Sequence, residues 1–90
     1  MIKNNEFAVY DALRERRVRV RYDPNMRVED LKTQLRDYFD RTYDFALSTV
    51  VTRVTRENTE FPDIRRLPTW ETLGDTPVKI GDVVFMGHQS

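Results

Sequence analysis

Arg17-Val18-Arg19-Val20-Arg21-Tyr22-Asp23-Pro24 is a charged–apolar alternation closed by a proline. A period of two is the pattern of a half-buried strand, so residues 17–22 turn Val18, Val20 and Tyr22 inward and Arg17, Arg19 and Arg21 to water. Pro24, with no N–H to donate, ends the ladder. Immediately upstream, residues 6–13 (Glu-Phe-Ala-Val-Tyr-Asp-Ala-Leu) suit a first strand, with Phe7 and Val9 on one face and Ala8 and Tyr10 on the other. The short polar link between the two runs makes them a hairpin, although no Asn-Gly or Asp-Gly sets its turn type.

Downstream the period changes. Val28, Leu31, Leu35 and Tyr38/Phe39 recur at steps of three and four, marking one face of a helix from about 27 to 40. Asn25 is the expected N-cap, and Glu29 and Asp30 occupy the first turn, where the helix dipole favours acids. Lys32, Arg36, Asp37 and Asp40 fall on the polar side, with Arg36 and Asp40 spaced to pair. The β-branched run within 45–56 predicts a third strand. Residues 57–72 read as an irregular polar stretch punctuated by Pro62 and Pro68, tacked to the body by Phe61, Ile64, Leu67 and Trp70. After the Gly81-Asp82 turn, residues 83–86 make a last strand. The order of hairpin, helix, strand, loop and strand predicts an α+β protein of β-grasp type. One helix packs across a mixed sheet of four to five strands, and residues 1–90 form one domain.

Composition narrows the function. The chain has 90 residues, no cysteine, and 15 basic residues against 15 acidic ones. Disulfides, thiolate chemistry and cysteine-ligated zinc are therefore excluded. No apolar run approaches the roughly 20 residues of a membrane span, and Met1 to Glu6 carries no secretory h-region. The expectation is an intracellular protein, cytoplasmic or nuclear, without a membrane partner. Zero net charge disfavours a dedicated nucleic-acid binder. Even so, arginine supplies 12 of the 15 basic residues, and Arg14, Arg16, Arg17, Arg19 and Arg21 crowd into eight positions. The guanidinium fork suits carboxylate and phosphate contacts.

Two segments resemble the ubiquitin-like superfamily. Val18 to Pro24 running into Val28-Glu29-Asp30-Leu31-Lys32 is similar to its second strand, turn and helix start. Thr72-Leu73-Gly74-Asp75 through Val78-Lys79-Ile80-Gly81-Asp82 is similar to the approach to its last strand. Two branches look nearest. The non-conjugated ubiquitin-like splicing modifier is similar across Val9 to Lys32 and Thr72 to Gln89. The small Sin3-associated polypeptide is similar around Phe45-Ala46-Leu47 and Ile80-Gly81-Asp82. Both are adaptors in RNA-handling assemblies, so the resemblance implies a non-catalytic subunit of a larger complex. Residues 41–71 are longer than in the splicing modifier. Its tyrosine pair falls here on Gly87 and His88, and its acidic partner-gripping residue on Met26, so that partner site does not carry over.

Conjugation in this superfamily needs a Gly-Gly tail, whereas this sequence ends Met86-Gly87-His88-Gln89-Ser90; the expectation is binding without covalent transfer. His88 is the only histidine, so no His cluster for metal and no choice of catalytic base exists. No carboxylate pair sits in an apolar setting, and the three glycines form no phosphate loop. Neither enzyme activity, a cofactor nor a small-molecule substrate is expected. The candidate partner-binding residues are Tyr10, Arg17, Arg19, Arg21 and Phe85, with Arg14 and Arg16 extending the set to the hairpin tip. Phe85 lies where ubiquitin has a histidine on its docking face, and it faces outward with Val83 if Val84 and Met86 face the core. The arginine face is open to three readings: a solvated face that discourages aggregation, a dock for an acidic or helical protein partner, or a contact for RNA phosphates. A bacterial or phage ubiquitin-like accessory protein and a fixed structural subunit are further alternatives. Trp70 is expected to pin its loop to the core.

Overall fold

The computed structural model describes residues 5–39 and 44–88. Strands β1 (Glu6–Asp11) and β2 (Arg16–Arg21) form the hairpin, α1 (Val28–Tyr38) follows, and β3 (Phe45–Val54), β4 (Glu60–Arg66) and β5 (Val83–His88) complete one sheet. The sheet order is β2-β1-β5-β3-β4. The central pair, β1 and β5, is parallel; the other neighbours are antiparallel. This is the α+β, β-grasp arrangement that the alternation and the helix period predict, with five strands. Among the described residues, no helix is long and apolar enough to cross a membrane.

The helix lies against one face of the sheet, and the core fills the space between. Phe7 and Val9 of β1, Val84 and Met86 of β5, and Phe45 and Leu47 of β3 meet Val28, Leu31 and Leu35 of α1, all buried. Val18, Val20 and Tyr22 are only half-buried, since β2 is an edge strand that the helix covers from one side. Tyr22 meets Phe7 edge to face at 6.3 Å. One inward position of β1 is polar: Asp11 is fully buried and accepts the Leu13 N–H at 3.1 Å, which shapes the hairpin turn. That turn has four residues and places Glu15 at φ 53°, a left-handed conformation in place of the absent Asn-Gly.

The helix start departs from expectation. Arg27, not Asn25, occupies the N-cap, and its side chain makes no capping bond. The first-turn donors bond to a distant segment instead: Val28 N–H reaches the Glu71 carbonyl at 2.9 Å and Glu29 N–H the Thr69 carbonyl at 3.1 Å. Orphan donors at a helix start need acceptors of some kind, and here the tertiary fold supplies them. Asn25 belongs to the preceding turn, where its N–H donates to Asp23 at 3.0 Å. The following stretch closes over this turn through Gly74 N–H to the Pro24 carbonyl at 2.9 Å. A Cβ at position 74 would stand 3.0 Å from that same oxygen, so a side chain there forces the two segments apart.

The largest correction concerns residues 57–72. Residues 60–66 are not irregular: they form edge strand β4, paired with β3 from Glu60↔Val54 to Arg66↔Ser48. Phe61, Ile64 and Trp70 are exposed, and of the four expected tacking residues only Leu67 is buried. An edge strand that the helix does not cover has no buried face, so it shows no period-two signal, and Pro62 is tolerated at an edge.

Lys32 was expected on the polar side of the helix and is instead buried. Its ammonium lies 3.0 Å from Asp44 and 5.5 Å from the centre of the Phe45 ring. Arg36 shares the same carboxylate at 3.1 Å; its expected pairing with Asp40 lies outside the described residues. The hydrogen bond from Lys32, then that from the Phe45 backbone, hold the Asp44 carboxyl below its ordinary value, helped by the charges of Lys32 and Arg36 and opposed by burial. A depressed folded-state value means that the contribution is complete above the unfolded-state value of about 3.9 and is lost as pH falls through the lower folded-state value. Wild type should therefore lose stability faster than Asp44→Asn as pH is lowered below about 4. The difference should be small, because the carboxylate is half in water. Chemical denaturation of both proteins across that window checks it, and parallel acid slopes would dismiss the effect.

Candidate functional site

All five expected site residues lie on the sheet face opposite the helix. The register sets them out in rows. Arg17 stands across from Tyr10, Tyr10 beside Phe85, Phe85 beside Ser48, and Ser48 across from Arg66. The row crosses all five strands, about 19 Å at the usual strand spacing. Tyr10 and Phe85 meet edge to face, with ring centres 6.3 Å apart and an interplanar angle of 84°. Phe85 is 37% exposed, while its chain neighbours Val84 and Met86 are buried, so β5 has the register in which Phe85 faces out. One row on, Arg19 stands opposite Ala8, and in the next Arg21 stands opposite Glu6.

The five-arginine cluster is divided. Arg17, Arg19 and Arg21 are exposed on the outer face, spaced by two residues, whereas Arg14 and Arg16 turn to the helix side. Arg14 donates to the Phe39 carbonyl, capping the negative end of the helix, and Arg16 lies 5.9 Å from the centre of the Phe39 ring. They do not extend the outer face, contrary to the sequence expectation. The alternation begins at Arg17, and what precedes it serves the hairpin and the helix end.

Sequence reading missed the other half of this face. Val50 and Ile64 stand directly opposite each other on β3 and β4, 50% and 74% exposed. With Phe85, Tyr10 and Ala8 they make the middle of the outer face apolar, and Arg66 bounds it on the side away from the β2 arginines. The signal for Val50 is present in the 45–54 run, where alternate residues from Phe45 to Val51 face the core side. Continuous β-branching hides which set faces out. Ile64 and Arg66 belong to β4, whose sequence carries no strand period.

His88 lies at the end of β5, but its side chain, like Gln89 and Ser90, is outside the described residues. Among the described residues no group of three or more His, Asp or Glu gathers in a metal-binding arrangement. The outer face offers aromatic and aliphatic surface flanked by guanidinium groups, which is the chemistry of a contact surface. Comparison with protein-family models and with curated proteins gives no match.

Proposed function

We propose that this chain is a non-catalytic protein-interaction adaptor, acting inside the cell, whose outer sheet face docks an acidic amphipathic helix of a partner. The observation that carries the reading is the row Arg17–Tyr10–Phe85–Ser48–Arg66, aromatic at its centre and cationic at both ends. Exposed apolar groups lose unfavourable hydration when covered, and aromatic and arginine residues carry most interface energy. A row of about 19 Å matches roughly 13 residues of helix at its usual rise. Arginines on both flanks select a partner with acidic residues beside its apolar stripe. The likeness to ubiquitin-like adaptors supports a place in a larger, non-covalent assembly.

Affinity capture from cell extract with mass spectrometry tests this, comparing wild type with Arg19→Glu and Ile64→Asp. Both substituted positions are exposed, so both variants should fold normally. Each should lose the same partner, by about tenfold or more. Undiminished capture by both would remove the face from consideration. If the bound species is instead RNA whose affinity falls steeply and log-linearly with salt, the guanidinium groups serve phosphates and the helix-docking reading fails.

A further inference from the structure

A second feature lies where β4 ends. Leu67 N–H bonds the Leu47 carbonyl at 2.8 Å, and Pro68-Thr69-Trp70-Glu71 then forms a turn closed by Glu71 N–H to the Pro68 carbonyl at 3.3 Å. The two residues flanking Trp70 are clamped to the helix start, since Thr69 and Glu71 are the acceptors of the Glu29 and Val28 N–H groups. The backbone of Trp70 is thus fixed on both sides, yet its side chain is 74% exposed. A large aromatic left in water on a fixed backbone pays no backbone ordering on binding, only that of its two side-chain torsions.

Trp70 borders a cleft of about 380 Å³ whose apolar lining includes Leu47, Leu67 and Pro68 and whose charged lining is Lys32 and Arg66. Among the described residues no carboxylate lines it, although Asp44 lies 3.0 Å behind the Lys32 ammonium. Lys32 is nine-tenths buried and carries three N–H donors. Asp44 is its hydrogen-bonding acceptor among the described residues, and Asp44 is shared with Arg36. A buried ammonium with more donors than acceptors is costly, and a second acceptor at the cleft relieves that cost.

We propose that this cleft, which borders the helix-docking face and shares Arg66 with it, is a binding site for a linear acidic–apolar peptide segment of a partner protein. A bulky apolar side chain packs between Trp70 and the leucines, and the adjacent carboxylate accepts from Lys32 and Arg66. The volume holds one or two large side chains, and the walls combine aliphatic groups and a single aromatic ring with two cations. Those features favour a peptide anchor over a nucleic-acid strand, which needs a succession of stacking platforms and a continuous cationic track.

Trp70 is the single tryptophan, so its fluorescence reports this cleft without labelling. The probe is the blocked peptide acetyl-Asp-Asp-Phe-Leu-Asp-amide, compared with its all-Asn counterpart, a six-nucleotide oligouridine and inorganic phosphate. The acidic peptide should shift Trp70 emission saturably with a Kd of about 0.1–1 mM. Asn for Asp in the peptide, or Arg66→Gln in the protein, should each weaken it about tenfold. Lys32→Met should do the same if it folds, and Arg66→Gln carries the test if it does not. Arg19→Glu should leave the response intact, which separates failure of this site from failure of the outer face. No saturable change, an equal response to the Asn peptide, or a response confined to oligouridine or phosphate would overturn the proposal.

Discussion

Val84→Asp should abolish cooperative folding at neutral pH. Val84 has 0% exposure at the centre of the sheet, paired with Val9 on one side and Thr49 on the other, beneath the helix. An ionised carboxylate there forfeits several kcal/mol of hydration, and the substitution also gives up about 1.5–3 kcal/mol of valine burial. A domain of this size has a margin of only about 5–10 kcal/mol. Thermal unfolding followed by circular dichroism, with amide dispersion by NMR, should show no two-state transition. A cooperative transition within about 1 kcal/mol of wild type would mean that Val84 faces water and that the register of β5 is wrong.

Phe85→Asp, one residue on, should do the opposite. Phe85 meets the Tyr10 ring edge to face and is 37% exposed, so its neighbours on the sheet cover the larger part of the ring. Its loss should cost about 2–3 kcal/mol of stability, which leaves the domain folded. Binding should suffer as well. An aromatic at the middle of a docking row is the kind of residue whose removal costs 2 kcal/mol or more, about a 30-fold weakening, and a new carboxylate repels an acidic partner besides. Calorimetric titration against the partner captured by the wild-type protein measures this directly. If the variant bound as tightly as wild type while remaining folded, the aromatic centre of the face would play no part in recognition. The contrast between neighbours 84 and 85 is the sheet's period of two expressed as phenotype.

How much of this was legible beforehand depends on whether burial left a period in the sequence. The Arg17–Tyr22 alternation and the Val28–Leu35 spacing both arise because one side of each element meets the core, and both gave the right faces. The same rule placed Phe85 outward once Val84 and Met86 were taken inward. Strand β4 has no covered side, so Glu60–Arg66 carries no such rhythm and resembles a loop. With it went Ile64, Arg66 and half of the candidate face. Lys32 and Trp70 were misjudged in the other direction. Residue type places a lysine in water and a tryptophan in the core, but Asp44 and the Phe45 ring accommodate the buried ammonium, and the backbone on both sides of the exposed Trp70 is bonded to the helix start. Both outcomes rest on contacts between segments far apart in the chain, which local reading does not reach. Arg27 at the N-cap has the same origin.

The parallel pairing of β1 with β5 has a consequence for how the protein is made. Ala8 pairs with Val83 and Asp11 with Met86, so the first strand of the sheet to be made must wait for its last before the middle of the sheet can close. The β1–β2 hairpin and the helix form from nearby residues, but their shared core is finished only when β5 arrives. Closing so long a loop is entropically costly, and sheets dominated by distant pairings fold slowly. Until β5 has been made, the nascent chain leaves Phe7, Val9 and Leu31 uncovered, and a ribosome stalled before Val83 should hold a protease-sensitive, chaperone-bound polypeptide.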